Sequence, residues 1–298
     1  MKPSAHGSVG ATLLLRPDAA SPKRVLVGAQ VGSGAFATVV AISPLRVLRL
    51  THGTPALLRR ELRGLRIAQR LHALGAAVPR VWGLGRYALD ADAGGSAGVY
   101  GELERFDVDL FDYLDKQDRL RRSGRSEGPS VADFLSFADR MLRTVGAVHT
   151  LGWIHNDVKP ENVGLLVRHG RARLDTCVLF DFGHATRIVA ASRNGTRAFL
   201  PPEAIARAAF PVGYDPRAKE AFSVGKTLLL VWYAVVPPPP TSWHFGAETT
   251  FLAGRRDRAQ HLEGRSRGIE SDLLRLTDPD WAKRPSLACT QKTLLTRV

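Results

Sequence analysis

The spacing of apolar residues changes near Leu103, and this change constrains the fold more than any other feature of the sequence. Upstream, short runs rich in Val, Leu and Thr are separated by turn-forming residues, which is typical of β-strands. Strands are predicted at 24–31, 38–42, 46–50, 78–84 and 99–103, with a helix that begins after Thr54-Pro55. Downstream, apolar residues recur at helical spacing, most clearly over Val131–Thr150. The pattern predicts an α+β protein with a small β-rich lobe followed by a larger α-rich lobe.

The chain of 298 residues is long enough to bury a sizeable core in two lobes. Residues 1–22 contain three prolines and are predicted to form a leader outside that core. Residues 23–298 are predicted to form one domain. Its N-terminal lobe covers about 23–103, a connection covers 104–108 and the C-terminal lobe covers 109–298.

The net charge of the chain is +14, from 42 basic and 28 acidic residues. Basic proteins often bind nucleic acid, anionic membranes or acidic substrates. Most of the basic residues here are Arg, however, in a chain rich in Ala, Gly and Pro, and a GC-rich coding bias would produce the same composition. No basic motif interleaved with aromatic residues supports nucleic-acid binding, so that partner is not favoured, although the charge leaves it open.

The cysteine count and the apolar runs predict an intracellular protein. Cys177 and Cys289 are too few for the disulfide framework of a small secreted domain. The start of the chain lacks the apolar stretch of a signal peptide. The longest apolar run, 228–236, is too short to cross a bilayer and ends at Pro237. We therefore expect a cytoplasmic or nuclear location and no membrane partner; the oligomeric state is not indicated.

Two short motifs carry the chemistry of the chain. His155-Asn156-Asp157-Val158-Lys159-Pro160-Glu161-Asn162 is followed one strand later by Asp181-Phe182-Gly183. One Asp can accept the proton of an attacking hydroxyl, and a Lys can steady a transferring phosphate. An Asn and a second Asp can hold Mg²⁺ on a nucleotide. The two motifs therefore favour phosphoryl transfer.

These motifs resemble the catalytic and metal loops of eukaryotic-type serine/threonine protein kinases. Gly32–Val39 resembles the glycine-rich loop of that family, and Gly195–Glu203 resembles its substrate-docking loop, with Arg284 as the expected ion-pair partner of Glu203. The resemblance covers the chain from about Val25 to Leu295 and implies a bilobal kinase fold. It also implies ATP and Mg²⁺ as cofactors, with Mn²⁺ as a possible substitute, and protein substrates.

The resemblance also assigns roles to individual residues. Asp157 is expected to act as the catalytic base and Lys159 to contact phosphate, while Asn162 and Asp181 are expected to bind the metal. Further residues are expected to bind the nucleotide: Gly32, Gly34, Ala37, Val39, Val47, Arg49, Glu61, Glu104, Phe106 and Asp109.

Besides Ala37, which stands in place of the third Gly of the glycine-rich loop, the chain departs from the family pattern at four positions. Arg49 stands where strand 3 of the family carries a Lys, and Arg46 is expected on the opposite face of that strand. Arg keeps the charge but is bulkier than Lys. Glu220 replaces the usual Asp of a central helix, and Gly164 replaces a Leu below the adenine. Asn156 replaces the Arg that receives a phosphorylated activation loop.

Asn156 and the short segment 184–194 predict activity that does not depend on phosphorylation of this segment. The hydroxyls of the segment are Thr186 and Ser192. The leading interpretation is an active serine/threonine protein kinase. A pseudokinase that acts as a scaffold is the alternative, and Arg49, Glu220 and Gly164 favour it. A kinase of small molecules shares the catalytic motif, but the docking loop and Arg284 count against it. The sequence does not identify the substrate, and a large DNA virus or a cell could encode such a chain.

Overall fold

The computed structural model describes residues 12–18, 21–33, 36–89, 98–125, 128–206, 208–236 and 264–297. They fold into two compact units. The first contains the described residues up to Phe106 together with Asp181–Gly183, and the second contains Asp107–Phe180 and the described residues from His184 onward.

The first unit is built on a seven-stranded antiparallel sheet and one helix. The strands are β1 (Thr12–Pro17), β2 (Lys23–Leu26), β3 (Gln30–Ser33), β4 (Ala37–Ser43), β5 (Arg46–Thr51), β6 (Val81–Leu89) and β7 (Gly98–Glu104), and the helix is α1 (Pro55–Ala73). Their order in the sheet is β2-β1-β6-β7-β5-β4-β3. Thr54 caps α1 by accepting a hydrogen bond from the Leu57 amide, with Pro55 at the first helical position. The predicted helix start is thus confirmed.

The prediction that residues 1–22 form a leader outside the core is wrong for the part that the structure describes. Strand β1 pairs with both β2 and β6, and Leu13 and Leu15 are fully buried in the core cluster of the sheet. The reason is the alternation of Leu13 and Leu15 with less buried neighbours, which gives the strand one apolar face. Pro17 lies at the end of the paired run and Pro22 lies outside it, just before β2, where the lost N–H does no harm.

The single strand predicted over 24–31 is two strands on opposite edges of the sheet. Chain segments β2 and β3 are separated at Gly28, whose amide donates to the Ala41 carbonyl at 3.0 Å. A Cβ atom at Gly28 would lie 2.6 Å from that oxygen, so this crossing needs a glycine. The predicted mobile loop at 91–98 lies almost entirely outside the described residues.

We expect Leu15→Ala to destabilise the protein by about 2–5 kcal/mol, because it leaves a cavity in the core of the sheet. Leu26→Ala is the matched control, since Leu26 lies on neighbouring β2 but is 67% exposed, and it should cost less than about 0.5 kcal/mol. Urea unfolding followed by circular dichroism measures both values. Equal losses for the two variants would show that β1 is not part of the core.

The second unit is mainly helical. Its described helices are α2 (Leu110–Arg122), α3 (Val131–Thr150), the short α4 (Pro202–Ile205), α5 (Pro216–Val235), α6 (Gly264–Leu276) and α7 (Leu287–Leu295). Its strands are β8 (Val108–Asp109), β9 (Trp153–Ile154), β10 (Val163–Arg168), β11 (Arg171–Leu179) and β12 (Thr186–Arg187), in one three-stranded sheet ordered β11-β10-β8 and one pair β12-β9.

Local sequence signals explain where the helices of this unit begin. Asp109 caps α2, and Ser130 caps α3 in a reciprocal capping box with Asp133. The predicted boundaries Val131–Thr150 are therefore confirmed. Helix α5 is buried over most of its length, and the proline run 237–240 that was predicted to follow it lies outside the described residues. In the described parts of the chain, the helices are too short or too polar to cross a membrane.

Candidate active site

One face of the first unit's sheet carries the residues predicted to bind nucleotide. Val40 and Leu48 pair across β4 and β5 and belong to the core cluster on one face. Val39 and Arg49 pair in the same register and point to the other face, because neighbouring residues of a strand alternate. Val47 lies two residues from Arg49 and therefore shares its face.

Helix α1 packs on the face of the sheet that carries Arg49. The side chain of Leu65 fills the space beside Gly101, where an added Cβ atom would lie 2.6 Å from Leu65 Cδ2. Gly101 pairs directly with Arg49 in the sheet. This close approach brings Glu61 to the guanidinium: Arg49 Nε donates to Glu61 Oε1 at 2.8 Å, and Arg49 Nη2 donates to Asp181 Oδ2 at 3.2 Å.

Arg49 therefore bridges two carboxylates. Burial alone would lower the pKa of Arg49, but the charges of Asp181 and Glu61 outweigh it and raise that pKa above its usual value. Burial raises the pKa of Glu61, together with the charge of Asp181, and Arg49 offsets only part of this effect. The guanidinium is therefore fixed in its charged form between the two carboxylates.

Arg46 lies on the opposite face of β5, as predicted. It pairs with Glu102 at 2.9 Å, and Lys23 holds the other carboxylate oxygen at 2.8 Å. Arg46 also lies over the ring of Trp82, 4.4 Å from its centroid. These contacts assign Arg46 to the packing of the sheet rather than to the surface that carries Arg49.

Asp181–Gly183 is held against α1 by two residues that the sequence analysis missed. At Gly64, an added Cβ atom would lie 2.9 Å from the backbone of Phe182, so only glycine permits this approach. Arg60 donates from Nε to the Gly183 carbonyl oxygen. Asp181 itself has φ of 64°, a left-handed conformation that Asp adopts more readily than most residues. The signal for Gly64 was available in the sequence as a glycine inside a strong helical pattern.

The remaining nucleotide-binding candidates of this unit lie in β3, β4 and β7 or just beyond. Gly32 pairs with Val39, and a Cβ atom there would meet only ordinary contacts, so it does not require glycine for packing. Ala37 opens β4 on the same face as Val39. Glu104 ends β7, and its side chain accepts from the Arg80 amide at 3.2 Å. Phe106 is the last residue of this unit before Asp107 begins the second unit. Gly34 lies outside the described residues.

The second unit brings together Asp157, Lys159 and Asn162. Asp157 is 8% exposed and accepts from the Thr196 amide and hydroxyl, both at 2.8 Å. Lys159 Nζ donates to the same hydroxyl oxygen at 2.8 Å and lies 3.5 Å from Asp157 Oδ2. Asn162 Nδ2 donates to the Asp157 carbonyl oxygen and carboxylate at 2.8 and 3.0 Å. The predicted base and its predicted neighbours therefore form one hydrogen-bonded cluster.

The environment of Asp157 keeps it ionised. Burial alone would raise the pKa of its carboxyl group, but the Thr196 hydrogen bonds and the positive charge of Lys159 hold the pKa below its usual value. An ionised carboxylate that already accepts a hydrogen bond from an alcohol can orient the hydroxyl of a substrate in the same way.

Each unit by itself supplies an oxygen atom of the kind that Mg²⁺ prefers. The two side-chain hydrogen bonds of Asn162 both use its amide nitrogen, which leaves the side-chain oxygen as the atom to face a cation. Asp181 supplies carboxylate oxygens in the first unit. Mg²⁺ prefers oxygen ligands and often takes only one or two carboxylates from a protein, with nucleotide phosphates as further ligands.

Asp109 has a structural role that the structure describes directly. Its carboxylate accepts from the Asp112 amide at 2.8 Å at the start of α2, and β8 holds it beside Gly164 of β10. Burial raises the pKa of Asp109 above its usual range, and the cap hydrogen bond offsets part of that effect. A contact with a ribose stays a prediction.

Glu220 stands where the family pattern has Asp, and it contacts the catalytic loop. We define the catalytic loop as residues 155–162. Glu220 is 1% exposed, and its Oε1 accepts from the Asn156 amide at 2.8 Å. His149 Nε2 lies 2.6 Å from the other oxygen. Burial alone would raise the pKa of Glu220, but the His149 contact and the Asn156 amide lower it below its usual value. Glu220, which is longer than Asp, is thus held by His149 as well as by the Asn156 amide.

The predicted ion pair between Glu203 and Arg284 is confirmed. Arg284 forms a bidentate pair with Glu203, at 2.6 and 2.9 Å, and its side chain is fully buried. It also donates to the carbonyl oxygens of Ala218, Asp278 and Pro279. The pair therefore ties the end of the 195–203 stretch to the segment around Arg284, which is a structural role.

Comparison with known proteins decides the family. Residues 103–286, more than half of the chain, match the profile of the protein kinase domain. This chain belongs to the protein kinase family. Its fold is therefore the bilobal α+β kinase fold, with a β-rich N-terminal lobe and a larger helical C-terminal lobe.

Two relatives of the kinase are described as serine/threonine-protein kinases. One, serine/threonine-protein kinase 1 of Heliothis zea nuclear polyhedrosis virus, is 32% identical over 108 residues, 36% of this chain and 35% of the viral protein. The other, a probable serine/threonine-protein kinase of Dictyostelium discoideum, is 36% identical over 73 residues, 24% of this chain and 14% of that protein. The matched stretches thus span about a third or less of either relative.

Proposed function

We propose that this kinase transfers the γ-phosphate of ATP to a serine or threonine hydroxyl of a protein, without a phosphorylated activation loop. The observation that carries the proposal is the environment of Asp157, a buried carboxylate with a lowered pKa that already accepts a hydrogen bond from a hydroxyl. In this role Asp157 orients the substrate hydroxyl and accepts its proton, and Lys159 contacts the phosphate.

The first unit would hold the nucleotide through the sheet face that carries Val39, Val47 and Arg49. Arg49 supplies a fixed positive charge for phosphate oxygens, oriented by Glu61. Asp181 and Asn162 would hold Mg²⁺, which supplies charge neutralisation on the phosphates when bound. Protein substrates are favoured over small molecules because the bidentate Glu203–Arg284 pair supports the loop that resembles a polypeptide-docking platform.

A specific observation favours the scaffold alternative. Arg49 already pairs with Asp181, so the metal-binding carboxylate has a cationic partner before any metal binds. A protein that kept this pair closed would retain the fold with little transfer. Glu220 and Asn156, however, keep the catalytic loop anchored, which a scaffold does not need.

The experiment that tests the proposal is transfer of radiolabel from ATP to generic protein substrates, with Mg²⁺ or Mn²⁺, before and after phosphatase treatment. We expect labelling of Ser and Thr by both preparations, because no phosphate is needed to order the site. Activity only before phosphatase treatment would refute phospho-independent activity, and no transfer by either would favour the scaffold.

A further inference from the structure

A buried lysine on helix α5 contacts the segment 184–199, which we name the activation segment. Lys219 is 1% exposed, and its Nζ donates to the Asn156 Oδ1 at 2.8 Å and to the Asn194 carbonyl oxygen at 2.5 Å. None of the motifs in the sequence includes this lysine. One amine thus joins α5, the catalytic loop and Asn194 of the activation segment.

Asn156 extends this connection to the near end of the activation segment. Its Nδ2 donates to the His184 carbonyl oxygen and to the Thr186 Oγ1, both at 2.9 Å. Asn156 has φ of 73°, which Asn tolerates better than most residues, and it directly precedes Asp157 in the chain. Gly195 packs so closely on the Asn156 carbonyl that a Cβ atom there would lie 2.4 Å from its oxygen. His184, Thr186 and Gly195 of the segment are therefore all fixed against the residue next to the proposed base.

Two further donors on the same face of α5 hold the rest of the segment. Ser223 Oγ donates to the Phe199 carbonyl oxygen at 2.8 Å, and Lys226 Nζ donates to the Ala198 carbonyl oxygen. These residues lie four and seven positions after Lys219, which places all three on one side of the helix. Together they satisfy backbone carbonyl groups that a flexible segment would leave to water.

If Lys219 only filled space, an apolar side chain would do so at lower free-energy cost, because burying a charged amine is unfavourable. Burial lowers the pKa of Lys219 to about 8, although the charges of Glu220, Asp157 and Glu203 oppose this effect. The hydrogen bonds to Asn156 and Asn194 offset part of the free-energy cost of burying the amine. The role of Lys219 therefore lies in holding these two residues together.

We infer that Lys219 is a positioning residue that, through Asn156, holds the activation segment against the catalytic loop in place of a phosphate. The expected effect on catalysis rests on the proposed function. The attachment of the activation segment by Lys219 and Asn156, which we call the clamp, does not depend on it. Thr186 and Ser192 support this inference. The Thr186 hydroxyl already accepts a hydrogen bond from Asn156 Nδ2, and the Ser192 hydroxyl accepts one from the Asn194 amide.

The test is hydrogen–deuterium exchange of residues 184–199 in the full-length, phosphatase-treated protein, combined with transfer kinetics. In Lys219→Met we expect exchange of the amides at 195–199 to rise about tenfold or more, as loss of charge-assisted hydrogen bonds predicts. The kcat/KM for a protein substrate should fall by a similar factor, while KM for ATP stays within about threefold. Lys292→Met, at an exposed lysine of α7, is the matched control and should behave as wild type.

A second variant separates the clamp from general loss of folding. Asn156→Asp keeps an oxygen for Lys219 but removes the amide donors, so exchange should rise at 184–187 and stay low at 195–199. Unchanged exchange in both variants would overturn the inference, whatever the transfer rates. If wild type transfers no phosphate but both exchange patterns appear, the clamp is supported and the proposed function is refuted.

Discussion

Asp157→Asn is expected to lower kcat for protein phosphorylation by about 10²–10⁴-fold, because an amide cannot accept the proton of the attacking hydroxyl. The substitution preserves shape, and the amide oxygen of Asn can still accept the two hydrogen bonds that Thr196 donates to Asp157. The new amide nitrogen cannot accept the Asn162 hydrogen bond that the carboxylate accepts, but the Asn162 bond to the backbone carbonyl oxygen of residue 157 remains. KM for ATP should change little. Radiolabelled ATP transfer at saturating and limiting ATP measures both constants.

Asp175→Asn serves as the control for that experiment. Asp175 is an exposed acid of β11 in the same unit, paired with Arg173 and outside the motifs that carry the chemistry. It should transfer phosphate as wild type does. Equal transfer by wild type and Asp157→Asn would exclude the proposed role of this carboxylate. Stabilisation by ATP without transfer, about 2.7 kcal/mol at one hundred times Kd, would instead favour the scaffold.

Arg49→Ala is expected to lower kcat by about 10²–10³-fold, as the removal of one fixed donor to a developing charge does in other enzymes. It also leaves Glu61, which is 9% exposed, without its cation. Arg49→Lys keeps the charge and should retain more transfer than Arg49→Ala, although a single ammonium group cannot reproduce the planar contacts to Glu61 and Asp181. Initial rates normalised to the folded fraction separate catalysis from stability.

Arg46→Ala is the matched control for Arg49, three residues away on the other face of the same strand. It removes one partner of the buried Glu102 but leaves Lys23 in place, so we expect some loss of stability and near-normal transfer. If Arg46→Ala abolished transfer and Arg49→Ala did not, the assignment of Arg49 to the place of the family's strand-3 lysine would be wrong.

Local sequence signals predicted elements that depend on neighbours in the chain. The caps at Thr54, Asp109 and Ser130 act within three or four residues, and the helices that they start were found where the patterns placed them. Strands β4 and β5 likewise follow from alternation around a tight turn. Strand β1 was missed because its proline-containing surroundings suggested a leader, whereas its burial depends on pairing with β6, some seventy residues later.

Some features of the candidate site likewise follow from the sequence, and others depend on the tertiary structure. The sequence alone determined the chemical groups, namely Asp157, Lys159, Asn162, Asp181 and the replacement of a lysine by Arg49, because these are properties of residue type and order. Only the tertiary structure decided that Arg49 bridges Glu61 and Asp181, and that Lys219 reaches Asn156 and Asn194. Such contacts join residues up to 132 positions apart, and a period of 2 or 3.6 residues carries no information about them. The Thr196 hydrogen bonds and the charge of Lys159 lower the pKa of Asp157 against the effect of burial, and these contacts exist only in the folded chain.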